Sequence, residues 1–395
     1  MFRTGNRPPV LCSIVPAPIE PPPITPVQAL IPAWKAKREL MRLRRQISDP
    51  FAPTVGTLNR LAYDYRRPSR VKVFNGAADL EDDVAILLLF QPNGLLNSTI
   101  YQIEWLKKCG VSVVVVSNVE LSEKDRATLE EKCHLVVERP NVGYDFGGYR
   151  EGILQLYDRG ILPRYLFVMN DSAWLPVQKD CDLISQAREA SEDLWGIIMS
   201  LDVRPRKRRD FEMEHVQSFF FRFSPALANS RAFKRYWKNA PILNSRRLVI
   251  KHFETRMTDH FKRLGYTVGA RTNWRDVRRH ILALENEQEL RAILKQLGAS
   301  RDREVLSILP ELDSGRLSAL EVRDRLHDRI QENRAAFYSF AMHPYIMEEF
   351  CFPFLKKSRS EEMVAMRTEL RRLGMHCEFP EAARAEVEAW DSACS

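Results

Sequence analysis

Between Val84 and Trp195 the chain alternates short unbroken apolar runs with amphipathic stretches. The runs V-A-I-L-L-L-F at 84–90, V-S-V-V-V-V-S at 111–117, H-L-V-V at 134–137 and Y-L-F-V-M at 165–169 read as strands. The stretches ending at Lys108 and Lys132, and the one from Gly148 to Tyr157, read as helices. Strands apolar on both faces and separated by helices belong to a parallel sheet covered on both sides. The segment H-V-Q-S-F-F-F-R-F at 215–223 predicts one further strand, followed by a helix through Phe233 and Trp237, and beyond Trp274 the pattern turns helical. The expectation is an α/β fold: a Rossmann-like, mostly parallel sheet flanked by helices, with a mostly α-helical C-terminal part. Ligands of such sheets bind beyond the carboxyl ends of the strands, so Gln91, Asn118, Asn141 and Asn170 should line one crevice.

The ends of the chain read differently. Nine of the 23 prolines fall between Pro8 and Pro32, which predicts an extended tail over 1–33. Residues 34–47 carry six basic residues and one acid beside Trp34, Leu40, Met41, Leu43 and Ile47. This is the pattern of a basic amphipathic helix that either packs on the main domain or meets an anionic membrane surface. The segment 34–80 is set apart on this basis, 81–275 is the expected ligand-binding domain, and the helical region 276–395 completes it.

Composition narrows the function classes. With 45% hydrophobic residues over 395 positions the chain can bury a large core. No run approaches the roughly 18 apolar residues of a membrane span, and prolines interrupt the N-terminus where a signal peptide would be apolar, so a cytoplasmic protein is expected, at most peripheral on the inner face of the plasma membrane. Seven scattered cysteines without C-x-x-C spacing predict free thiols. The net charge of +8 suits any polyanion. Nucleic acid is not expected among the partners, because Phe219, Phe220 and Phe221 run consecutively in a strand and would send alternate rings into a core.

Three blocks hold the candidate chemistry. In R-P-N-V-G-Y-D-F-G-G-Y-R-E-G at 139–152, Gly143, Gly147 and Gly148 surround a strand-to-helix turn with Asn141, Tyr144 and Asp145, which is either a nucleotide-binding turn or a tight structural one. Asp145 and Arg150 either reach a sugar or diphosphate or fix the turn internally, Asp145 by capping a helix near Gly148. In Y-L-F-V-M-N-D-S-A-W-L-P at 165–176, Asn170, Asp171 and Ser172 follow a strand, as a magnesium or manganese site or as a turn cap. In H-F-E-T-R-M-T-D-H-F-K-R-L-G-Y at 252–266, Glu254 opens a helix, as a general base or as a cap favoured by the helix dipole. The basic run R-P-R-K-R-R at 204–209 is a candidate for holding an acceptor's diphosphate or is a solvated loop.

Taken in order, N-V-G-Y-D-F-G-G-Y, N-D-S-x-W-x-P, Q-S-F-F-F, E-T-x-x-T and the terminal H-P-Y with F-P-F-L-K-K resemble the rhamnan synthesis protein F family of polysaccharide biosynthesis, over roughly 84–270 and again at 343–357. The resemblance implies a GT-A-like glycosyltransferase taking a nucleotide-diphosphate sugar, with rhamnose the implied sugar, to a saccharide or lipid-linked glycan acceptor of a cell-surface polysaccharide, with inversion. Laid over this chain, the pattern of inverting GT-A enzymes puts base contact on Asn118 and the asparagine-glycine turn on Asn141 and Gly143. The metal-binding D-x-D falls on Asn170, Asp171 and Ser172, and the catalytic acid pair on Glu254 and Thr255. It also implies His215 and Gln217 near the acceptor, where a lone histidine on a strand is otherwise structural, and a divalent cation, magnesium or manganese, on Asp171 and Ser172. The D-x-D is reduced to one aspartate and the second catalytic acid is a threonine, which keeps open a non-catalytic, scaffold member of a polysaccharide assembly complex.

Overall fold

A computed structural model describes residues 33–204, 211–295, 303–331 and 342–392. The proline-rich tail up to residue 32 and most of the basic run, 205–210, lie outside the described residues. The chain divides into two compact units, Met1–Pro50 and Phe51–Ser395. In the first, the backbone is helical from Ala33, the start of α1 (Ala33–Arg70).

The second unit is built on a nine-stranded sheet in the order β1-β4-β3-β2-β5-β9-β7-β10, with β8 on β7. Its first half comprises β1 (Lys72–Asn75), β2 (Asp83–Leu89), α2 (Asn97–Lys108), β3 (Val111–Ser117), α3 (Glu123–Lys132), β4 (Leu135–Glu138), α4 (Tyr144–Asp158) and β5 (Leu166–Asn170). Every residue of β2 to β5 is buried, as unbroken apolar strands require when helices cover both faces. β2, β3, β4 and β5 are mutually parallel, and β1 adds an antiparallel edge.

The second half holds β6 (Ala173–Trp174), α5 (Leu183–Glu189), β7 (Leu194–Arg204), β8 (Phe211–Val216), β9 (Phe220–Phe223), α6 (Pro225–Ala228), α7 (Arg231–Asn239), α8 (Arg246–Val249), a π-helical turn (Ile250–Glu254), α9 (Thr255–Arg263) and β10 (Val268–Asn273). The single strand predicted over 215–223 is broken. Met199 faces Val216 but Gly196 faces Phe221, a two-residue slip in register that separates β8 from β9. β9 runs antiparallel between β5 and β7, and all three phenylalanines at 219–221 are buried.

Beyond β10 the elements among the described residues are helical except for β11 (Leu355–Lys356), which pairs with β6. The last helix, Glu381–Trp390, returns to the sheet's first half. Its Glu386 accepts from the Ser98 N–H at 2.8 Å and the Ser98 hydroxyl at 2.6 Å, capping an α2 that has no side-chain cap of its own. Among the described residues no helix is long and apolar enough to cross a membrane, and the described cysteines are free thiols.

Candidate functional site

Strands β3 and β4 follow β2 to one side and β5 lies on its other side, so the sheet's topological switch point falls between β2 and β5. Ligands of open α/β sheets bind at such a switch point, outside the carboxyl ends of the two strands. Asp171, first after β5, reaches across it: its Oδ2 accepts from the Phe90 N–H at 2.9 Å and from Gln91 Nε2 at 3.1 Å. Gln91 is fixed by donating to Thr99 Oγ1 and accepting from the Leu96 N–H. Burial pushes the Asp171 carboxyl up, against these bonds and the Lys357 ammonium, which pull it down.

Asn170 forms the centre of the cluster. Its Oδ1 accepts from the Ser172 N–H at 3.1 Å and hydroxyl at 2.6 Å, closing a turn, while its Nδ2 donates to Asp145 Oδ2 at 3.0 Å. Burial, Asp171 and Glu254 push the Asp145 carboxyl up to about 6, against Lys356 and the Asn170 bond.

The helix carrying Asp145 starts earlier than its glycines suggest. α4 begins at Tyr144, with Gly143 (φ 82°) before it, so Asp145 lies in the first turn rather than ahead of Gly148. The space at Gly147 and Gly148 is taken by the protein itself. An added Cβ would lie 2.2 Å from the Val142 carbonyl oxygen at Gly147 and 2.3 Å from Leu88 Cδ1 at Gly148. Gly147 lets the turn before α4 close on the helix, and Gly148 lets α4 lie flush on β2. The Gly143 N–H donates to Asn244 Oδ1 at 3.1 Å, Tyr144 is 40% exposed and Asn141 is exposed.

Arg150 resolves to the internal alternative. Its buried guanidinium pairs with Asp64 of α1 at 2.7 Å and donates to the carbonyls of Trp237 and Lys238 at 3.0 Å each. Asn118 is buried at the end of β3, its Oδ1 accepting from Arg139 Nη1 at 2.5 Å. Beside it a cleft of about 310 Å³ is lined by Arg70, Lys72, Asn118, Glu138 and Arg139 among others. His215 lies near the end of β8 and Gln217 directly after it, at the start of the break before β9. Both are buried, with Gln217 Nε2 donating to Ser200 Oγ at 2.8 Å and His215 Nδ1 3.4 Å from the Met213 carbonyl.

Glu254 does not open a helix. α8, the π-helical turn and α9 run on continuously, and Glu254 itself has helical angles (φ −53°, ψ −51°), so the dipole argument for its position fails. It closes a π-turn instead, a widened turn that recurs at functional sites. Its charge acts on Asp145 and Lys356, which puts it at the same cluster.

Sequence reasoning missed two residues here, Lys356 and Lys357. β11 pairs with β6 so that Lys356 lies opposite Ala173, and the Lys357 N–H donates to the Ser172 carbonyl at 2.9 Å. Lys356 Nζ donates to Ser172 Oγ at 3.4 Å and sits 3.6 Å from the centroid of the Phe219 ring. Lys357 Nζ donates to Ser98 Oγ at 3.3 Å, with Glu386 at 4.0 Å. The available signal was the lysine pair that ends F-P-F-L-K-K.

The pattern of the family described as rhamnan synthesis protein F matches residues 113–286, which span β3 to the helix after β10. The "Uncharacterized protein y4gN" of Sinorhizobium fredii is 33% identical over 368 residues, 92% of this chain and 93% of its own length. The chain belongs to the rhamnan synthesis protein F family. The family's pattern takes in Asp145, the Asn170–Ser172 turn and Glu254 but not the Lys356–Lys357 pair. The virulence protein VirA of Vibrio anguillarum is 29% identical over 171 residues, 41% of this chain and 50% of VirA. Among solved structures, the mannosyltransferase PcManGT of Pyrobaculum calidifontis, in complex with GDP-Man and Mn2+, is similar at 9% identity and a TM-score of 0.32, over 84% of this chain and 98% of that one.

Proposed function

We propose that the protein is a GT-A-like glycosyltransferase of polysaccharide synthesis that moves a sugar, rhamnose by the name of its family, from a nucleotide-diphosphate donor to a saccharide or lipid-linked acceptor. The observation that carries this reading is the gathering of Asp145, Asn170, Asp171, Ser172 and Lys356 at the switch point of the sheet, with the charge of Glu254 acting on them. The acceptor hydroxyl attacks the anomeric carbon with inversion. The bond from that carbon to the diphosphate oxygen breaks, its electron pair leaves with the diphosphate, and the hydroxyl proton passes to the Glu254 carboxylate. Asn118 and the cleft beside it serve the nucleotide base, Asn141, Gly143 and Tyr144 the donor, and His215 and Gln217 the acceptor side.

A divalent cation would supply charge to the leaving diphosphate, but the residues present do not make a cage for one. Asp171 Oδ2 already accepts two N–H groups, Asn170 Oδ1 accepts from Ser172, and the Ser172 hydroxyl lies against an ammonium. Among the described residues no three His, Cys, Asp or Glu side chains converge as ligands.

The test is a panel of nucleotide sugars with a bacterial lipid extract as acceptor, read as nucleoside diphosphate release by the wild type and by Asp171→Asn and Glu254→Gln. Acceptor-stimulated release lost in both variants supports the transferase. Binding of a donor without turnover would favour the second reading, a non-catalytic scaffold, whose support is the single aspartate of N-D-S and Thr255 in place of a second acid.

A further inference from the structure

The terminal F-P-F-L-K-K segment brings two lysines to the crevice, and their surroundings differ. Lys357 is committed: its ammonium has the Ser98 hydroxyl and the Glu386 carboxylate beside it. Lys356 has one hydrogen bond, at 3.4 Å, and among the described residues no carboxylate in ion-pair contact, although it is only 8% exposed. An ammonium has three donors, so two of them remain to be used. A buried cation without its complement of partners is expensive to keep, and such groups persist where a ligand completes them.

The rest of the environment keeps this cation in place. The Phe219 ring lies 3.6 Å from Nζ, the Phe354 ring 6.0 Å away, and Asp145 and Glu254 act on it through space from α4 and the π-turn. Its main chain is clamped, because Arg367 Nη1 donates to the Lys356 carbonyl at 2.8 Å and to the Ser358 carbonyl at 2.8 Å.

Resting on the transferase reading above, we infer that Lys356 grips the donor's diphosphate and neutralises the charge that arrives on it as the sugar leaves, taking the place that the poor donor set denies to a divalent cation. The incoming dianion takes up the ammonium donors that Ser172 leaves unused. The electron pair of the broken bond goes to the diphosphate oxygen, and Lys356 keeps its protons throughout.

The experiment is calorimetry on the full chain with UDP, GDP and dTDP beside their parent nucleosides, in EDTA and then in excess manganese. In EDTA the preferred diphosphate is expected to bind at least about tenfold more tightly than its nucleoside. Lys356→Met should erase that preference and Lys357→Met should keep it. In turnover, Lys356→Met should lower kcat by about 100-fold or more. A diphosphate preference that appears only with manganese, or that survives in a folded Lys356→Met, overturns this inference and leaves the transferase reading standing. Should Lys356→Met fail to fold, the EDTA arm on the wild type decides alone. A wild type that binds no nucleotide and no nucleotide sugar under either condition overturns the transferase reading itself, and this inference with it.

Discussion

The Asn170 side-chain amide donates to the Asp145 carboxylate across 3.0 Å, tying the end of β5 to the first turn of α4. The same side chain's oxygen holds Ser172 at 2.6 Å, so one residue sets the spacing of the cluster. Asn170→Ala removes both bonds. It is expected to destabilise the fold by about 1–3 kcal/mol and to raise the Asp145 pKa, because the bond it loses favours the ionised carboxylate. Chemical denaturation and an NMR titration of Asp145 check the two effects, and an unmoved titration would remove Asn170 from this role.

Gly148 and Gly152 of α4 are packing residues against β2. Gly148→Ala puts a methyl against Leu88, and Gly152→Ala one 2.6 Å from Ile86 Cγ2, so each should cost about 1–3 kcal/mol. Shortening the neighbour should restore part of the loss, giving a positive coupling between Gly148→Ala and Leu88→Ala in a double-mutant cycle. Additive losses would mean that the methyl is accommodated elsewhere.

Stability should pass through a shallow minimum near neutrality. Lys356 ionises at about 7 in the fold against 10.5 unfolded, so the unfolded chain holds the extra proton between those values and stability rises with pH there. Asp145 behaves oppositely. The fold keeps its proton up to about 6 against 3.8 unfolded, so stability falls as pH rises through that window. Denaturation midpoints measured from pH 4 to 10 should show Lys356→Met flattening the upper limb and Asp145→Asn the lower, each relative to the wild type.

Arg367 is fully buried and holds Asp391 with two bonds, at 3.0 and 2.6 Å, besides the two carbonyls around Lys357. Arg367→Met leaves Asp391 and those carbonyls short of partners and should cost about 3–5 kcal/mol. If the chain still folds, nucleotide binding should weaken with it, since the Lys356 backbone loses its clamp. Thermal melting and calorimetry on the same sample separate the two losses.

The sequence was most legible where burial is complete. β2, β3 and β5 are unbroken apolar runs because helices cover both their faces, and Asn118 just past β3 and Asn170 as the last residue of β5 stand at carboxyl ends of strands. Glu254 was misplaced because a π-turn leaves no period of its own in the apolar pattern, so the helix seemed to start where it only widens. Gly147 and Gly148 were ambiguous in principle: a glycine that admits a ligand and one that admits the protein's own atoms look alike until Val142 is seen against the first and Leu88 against the second. Arg150 and Lys356 were illegible for a different reason. What a buried charge touches depends on distant partners, Asp64 for one and Ser172 for the other.

Ser172 and Lys356 are 184 residues apart. At ribosomal speeds of about 5–20 residues per second, the strand that completes the crevice emerges roughly 10–40 s after the one it pairs with. For that interval the acidic side of the crevice exists without its opposing cation, and β6 has an unpaired edge that any passing extended segment can occupy. The pairing of β6 with β11 is thus made only after every strand of the nine-stranded sheet has been synthesised.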